Sequence, residues 1–87
     1  MDSLRLDIEK VWVAALPGAL AADDEDFFAL GGTSITAATL IQALRDRLSV
    51  RIPLMLLFEN PKFAAFCASV EGFVAANSQP EEEQISG

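Results

Sequence analysis

The chain has 87 residues, 52% of them hydrophobic, with one tryptophan, six phenylalanines, one cysteine, no histidine and a net charge of −7. This is one small domain with enough apolar residues for a helical core, and its acidity excludes nucleic acid as a partner, because binding to phosphates depends on clustered lysine and arginine. The lone cysteine excludes an internal disulfide, and without histidine the soft ligands are too few for a structural zinc site.

No apolar run approaches the length of a membrane span, and Met1 is followed by acidic and polar residues instead of a signal sequence. The chain therefore reads as soluble and cytoplasmic, with no membrane partner. Leu4, Ile8, Val11, Trp12 and Ala15 recur at helical spacing, with Ser3 available as an N-cap, and Pro17-Gly18 ends this first helix. Residues 19–33 hold no sustained period, and they carry the acids Asp23 to Asp26, Phe27-Phe28 and Gly31-Gly32. They read as a long structured loop of the kind that carries function. The acidic run itself reads as a solvated loop: Phe27 and Phe28 occupy positions where a calcium loop needs oxygen ligands and a turn glycine.

A second helix spans about Ser34 to Leu48. Ala37, Leu40, Ile41, Leu44 and Leu48 share the arc that faces the core, while Ser34, Ile35, Ala38, Gln42 and Arg45 share the neighbouring arc. That neighbouring arc is either a docking face or the rim of the core. Ser49 to Ile52 form an extended connection, and Pro53 opens a brief third helix through Leu54 to Phe58. Asn60-Pro61 repeats the start signal of a cap followed by a first-position proline. The last helix then buries Phe63, Phe66, Cys67, Val70, Phe73 and Val74 and fades near Asn77. The fold class is all-α, a small four-helix bundle of three longer helices and one short one. Residues 1–77 form the domain, and the acidic residues 78–87 form a disordered tail or linker.

Ser34 carries the candidate chemistry. With no histidine the chain lacks the base of a Ser-His-Asp triad, and Thr36 breaks the G-x-S-x-G elbow, so hydrolysis is excluded. Gly31-Gly32-Thr33-Ser34 lacks the lysine and the spacing of a phosphate-binding loop. Ser34 is then either the cap of the second helix or a hydroxyl that another enzyme modifies. Gly31-Gly32 favours the latter, because missing side chains let a second protein approach. Cys67 lies in the apolar stripe and reads as a buried hydrophobe.

The run Phe28-Ala29-Leu30-Gly31-Gly32-Thr33-Ser34-Ile35 resembles the F-x-L-G-G-x-S signature, followed by leucine or isoleucine, of the phosphopantetheine-binding carrier domains of nonribosomal peptide synthetases. Val11-Trp12, Leu16, Ala37, Leu40-Ile41, Leu44-Arg45, Ile52-Pro53-Leu54, Leu57-Phe58 and Asn60-Pro61 extend the likeness over residues 4–75. The resemblance implies an acyl carrier protein-like bundle that is not an enzyme. It implies 4′-phosphopantetheine attached to Ser34 from coenzyme A by a phosphopantetheinyl transferase, and aminoacyl, peptidyl or acyl groups held as thioesters on that arm. It further implies adenylation, condensation or thioesterase domains as partners, a docking surface of Thr33, Ile35, Ala38, Gln42, Arg45, Met55 and Phe58, and a monomer as an isolated domain. The double glycine and a second helix in which Arg45 and Arg47 outnumber Asp46 favour the peptide-synthetase subtype. An acyl carrier of a polyketide synthase and an unmodified helical interaction module are the alternatives. Truncation after Asn77 is expected to leave melting temperature and loading of Ser34 nearly unchanged, since the last apolar stripe ends before it; a large fall in melting temperature shows that residues 78–87 pack on the bundle.

Overall fold

A computed structural model describes residues 3–77, so the tail assigned to residues 78–87 lies outside the described residues. Four helices follow one another: α1 (Ser3–Ala15), α2 (Ser34–Leu48), α3 (Met55–Glu59) and α4 (Phe63–Asn77). Three long helices and one short one form an all-α bundle, as the apolar periods require. Ser3 lies within α1 instead of preceding it as a cap. After α1, Gly18 at φ +89° turns the chain, a conformation that costs residues with a Cβ about 1 kcal/mol or more.

α1 packs most extensively on α2, and α4 closes against α1 and α3. Asp7 near the start of α1 pairs with Arg47 near the end of α2 at 3.1 Å, so the two helices run antiparallel. At the centre lies Trp12, fully buried, with its ring edge-on to Phe27 at 5.7 Å and to Phe63 at 5.0 Å and tilted against Phe66 at 6.2 Å. Ile8, Val11, Leu16, Ala37, Leu40, Ile41, Leu44, Ile52, Leu57, Cys67 and Val70 also lie in the buried core, while Leu48, Phe73 and Val74 are half-buried at its margin. α2 ends where Ser49 takes the left-handed conformation at φ 55° and its amide donates to the Arg45 carbonyl at 2.7 Å.

The acidic loop is built into the fold and is not simply solvated. The Glu25 carboxylate accepts hydrogen bonds from the Trp12 indole at 2.9 Å and from the Leu20 and Ala21 amides at 2.7 and 3.0 Å. Ala21 adopts φ 58° to aim its amide there. Asp23 pairs with Arg5 at 2.6 Å, and the Arg5 guanidinium lies over the Phe63 ring, 5.2 Å from its centre. The loop backbone then caps α4: the Phe63 and Ala64 amides donate to the Glu25 and Asp23 carbonyls at 2.8 and 3.0 Å. With the Phe27 amide donating to the Pro61 carbonyl at 2.8 Å, Asp26 and Lys62 form an isolated antiparallel bridge.

Two boundaries differ from the sequence reading. Asn60 does not start the last helix: it ends α3, its backbone and side-chain amides both donating to the Leu56 carbonyl at 3.0 Å. α4 starts three residues later because its first amides find partners in the acidic loop. Nor does α3 start at Pro53. Pro53 and Leu54 form a lead-in turn whose carbonyls accept from the Leu56 and Leu57 amides at 3.1 and 3.0 Å.

Burial alone pushes the Glu25 carboxyl up, but the hydrogen bonds from the Leu20 amide, the Trp12 indole and the neighbouring amides outweigh it and hold its pKa below the usual glutamate value. A depressed folded pKa adds stability that is complete above the unfolded pKa and is lost as pH falls through the folded value. Glu25→Gln is expected to cost about 1–3 kcal/mol at neutral pH. The gap from the wild type is expected to close in acid, as pH falls through the depressed folded value and both side chains become neutral. Urea unfolding of the two proteins at neutral and acid pH checks both statements.

Candidate functional site

The segment before α2 is a single helical turn closed at both ends. Asp26 caps its start, Oδ1 accepting from the Phe28 and Ala29 amides at 2.9 and 3.0 Å. At its end Gly31 turns left-handed at φ +98°, its amide donating to the Phe28 carbonyl at 3.1 Å, while the Gly32 amide donates to the Phe27 carbonyl at 3.0 Å. This pair of bonds with a left-handed residue between them is a Schellman closure, and it favours glycine at position 31. Gly32 is required for a different reason. A Cβ there would collide with the Phe27 ring edge and lie 2.7 Å from the Phe27 carbonyl oxygen. The space freed by the two glycines is thus used from within: one permits the turn, the other admits the Phe27 ring.

Thr33, in extended conformation at φ −126° and ψ 176°, is the N-cap of α2. Its Oγ1 accepts from the Thr36 amide at 3.2 Å and lies 3.1 Å from the Thr36 hydroxyl, and its carbonyl accepts from the Ala37 amide at 2.8 Å. Ser34 is the first residue of α2 and is exposed. Capping, the alternative use of the Ser34 hydroxyl, is therefore performed by its neighbour.

Around Ser34 the surface is apolar. Ile35 is 80% exposed and Met55 of α3 56% exposed, and the turn adds Phe28 and Leu30. No acidic residue occupies the first turn of α2. Phe28 stacks on Phe58 of α3, ring centres 5.6 Å apart and planes 8° from parallel, which seats α3 beside the turn. Ala38 and Gln42 are exposed, with Gln42 Nε2 donating to Asp46 Oδ1 at 3.3 Å. Arg45 and Phe58 are half-buried and have internal partners, Arg45 Nε donating to the Ile52 carbonyl at 2.9 Å. Of the sequence-derived docking residues, Thr33, Ile35, Ala38, Gln42 and Met55 are exposed, with Thr33 also serving as the cap, and Arg45 and Phe58 hold the local structure. Phe28 and Leu30, overlooked as surface contributors, sit within the signature itself.

Cys67 is buried, and burial pushes its thiol up to about 11. It stays protonated and unreactive at neutral pH. Among the described residues no group of three or more histidine, cysteine, aspartate or glutamate side chains could hold a metal ion, and no helix is long and apolar enough to cross a membrane.

The capped turn thus delivers an exposed serine to the N-terminus of α2, and comparison with known proteins places the chain in a family. Residues 7–70 match the family model for the phosphopantetheine attachment site. Gramicidin S synthase 2 of Brevibacillus brevis is 34% identical over 87 residues, covering 94% of this chain and 2% of that protein. L-2-aminoadipate reductase of Saccharomyces cerevisiae is 31% identical over 81 residues, covering 91% of this chain and 6% of that protein. The chain therefore spans a small fraction of the length of these relatives. Among solved structures, BlmI, a type-II acyl carrier protein from Streptomyces verticillus involved in bleomycin biosynthesis, superposes with a TM-score of 0.75 at 26% identity, covering 83% of this chain and 87% of that one. The chain belongs to the phosphopantetheine-binding carrier domains, homologous to those of nonribosomal peptide and polyketide synthases.

Gly32→Ala is expected to destabilise the domain by about 1–3 kcal/mol through displacement of Phe27, and Thr33→Ala by about 1 kcal/mol through loss of the cap. Thermal melts rank the two, and equal melting temperatures for Gly32→Ala and the wild type would show that the ring yields freely.

Proposed function

We propose that Ser34 is the attachment point of the 4′-phosphopantetheine arm, and that the domain carries aminoacyl, peptidyl or acyl groups between the catalytic domains of a nonribosomal peptide assembly line. The observation that carries this reading is the division of labour at the start of α2: Thr33 caps the helix, and the Ser34 hydroxyl is left exposed. A phosphodiester fits there, because the first amides of a helix and the positive end of its dipole favour an anion. When bound, the arm supplies a terminal thiol that holds cargo as a thioester.

The protein's own part is placement. The capped turn and the Thr33 cap fix the position of Ser34, while Ile35, Met55, Leu30 and Phe28 offer apolar area to a partner. Attachment by a phosphopantetheinyl transferase and delivery to adenylation, condensation or thioesterase domains both use this one surface. Tethering makes each encounter intramolecular and raises the effective concentration of cargo. The absence of acidic residues from the first turn of α2 supports the peptide-synthetase subtype over a polyketide carrier.

Incubation with coenzyme A, magnesium and a broad-specificity phosphopantetheinyl transferase is expected to add one phosphopantetheinyl group to the wild type and none to a folded Ser34→Ala variant. Intact-protein mass reads the outcome. Addition to Ser34→Ala overturns the site. No addition to the folded wild type, with the transferase active on another carrier, overturns the carrier reading in favour of an unmodified interaction module.

A further inference from the structure

Met55 and Cys67 are the sulfur-bearing side chains among the described residues, and the fold treats them oppositely. Cys67 is 1% exposed, and burial pushes its thiol up to about 11, so it stays protonated and enclosed. Met55 opens α3 and is 56% exposed. Its neighbours Leu54, Leu56 and Phe58 pack against the core and Leu57 lies within it, whereas Met55 stands clear of it. A thioether so exposed is open to oxidants.

Met55 also stands on the face that carries Ser34. Phe58, one turn further along α3, stacks on Phe28 with ring centres 5.6 Å apart, and Phe28 belongs to the turn that leads to Ser34. At about 100° per residue Met55 and Phe58 lie about 60° apart around the helix, so Met55 emerges beside the stack, where the turn and α3 meet. Exposed Phe28, Leu30 and Ile35 form an apolar patch with it. The patch is uncharged: residues 28–42 and 54–58 contain no aspartate, glutamate, lysine or arginine. A partner that seals such a patch removes it from water.

We propose that Met55 is an oxidation site whose sulfoxide closes the Ser34 face to partners while leaving the bundle intact. The inference rests on the reading of that face as the one used for attachment to Ser34. Hydrogen peroxide supplies the oxygen: a lone pair of Sδ attacks one peroxide oxygen, and the S–O bond forms as the O–O bond breaks. The proton on the transferred oxygen passes to the departing hydroxide, which leaves as water. Sulfur loses two electrons and the peroxide gains them. The product is a strong acceptor that stands among Phe28, Leu30 and Ile35, whose side chains have no proton to donate to it. A partner docked over it buries an acceptor without a donor, which opposes binding. In the free domain the same oxygen stays hydrated, and because Met55 stands clear of the core it does not disturb the packing.

The unloaded full chain is treated with hydrogen peroxide, the peroxide is removed with catalase, and loading by coenzyme A, magnesium and a phosphopantetheinyl transferase is compared before and after. Peptide mass is expected to place one added oxygen on Met55, and circular dichroism to stay the same. KM for the chain is expected to rise about tenfold, with kcat held within about twofold. Methionine sulfoxide reductases of both stereospecificities, with a dithiol reductant, are expected to reverse the rise. In Met55→Leu, peroxide is expected to leave KM at its value before treatment, whatever that value is. Met1 is present in both proteins, so an effect carried by Met1 appears in both. An unchanged KM for wild type bearing the sulfoxide overturns the proposal. So does a lack of added oxygen on Met55, a loss of helicity on oxidation, or an equal rise in Met55→Leu. No loading of the untreated wild type is a different failure: it overturns the attachment reading, and this inference with it.

Discussion

The carboxylate of Glu25 joins its own loop to α1: it holds the Leu20 and Ala21 amides, five and four residues before it, and the indole of Trp12, thirteen residues before it. A half-buried carboxylate needs such donors, since without them its desolvation opposes folding. Once it is held, the carbonyls of Asp23 and Glu25 stand where α4 can start, and Phe27 follows directly into the core beside Trp12. A single acidic side chain thereby fixes the relative placement of α1, α4 and the segment that leads to α2.

From that anchor a line of packing reaches Ser34. Trp12 holds Phe27, Phe27 fills the space above Gly32, Gly32 precedes the Thr33 cap, and the cap sets the first residue of α2. A parallel line runs from Phe27 through Phe28 to Phe58, joining the turn to α3. The exposed serine is therefore not a feature of a mobile loop. It stands at the end of a stack of close-packed rings, and packing at that density resists small displacements.

The fold was legible because apolar residues recur every three to four positions in the long helices and proline or glycine interrupts them between. The core arc of α2 follows from that period alone. What stayed hidden depends on contacts that a wheel or a motif does not contain. Asp23, Glu25 and Asp26 look alike as an acidic run, and their separate tasks appear only when α1 and α4 are brought beside them. Arg45 shares an arc with Ile35 and Ala38, yet the chain returns over it at Ile52 and occupies its guanidinium. Asn60 carries the signal of a helix start, but the helix it serves is the one before it. At Ser34 the sequence singled out the residue while leaving its hydroxyl open between cap and modification. Thr33 carries the same hydroxyl one position earlier, and only backbone angles tell which of the two closes the helix.

The burial of Cys67 bears on how the domain looks to an electrophile. Its thiol is enclosed by the core and kept protonated, so a maleimide or disulfide reagent meets no competing thiol on the surface of the folded chain. Any thiol acquired at the surface would then be chemically unique on this chain. With the arm proposed for Ser34 in place, its free thiol would be distinguished from a blocked one by labelling alone, without removing the protein's own cysteine, for as long as the bundle stays folded.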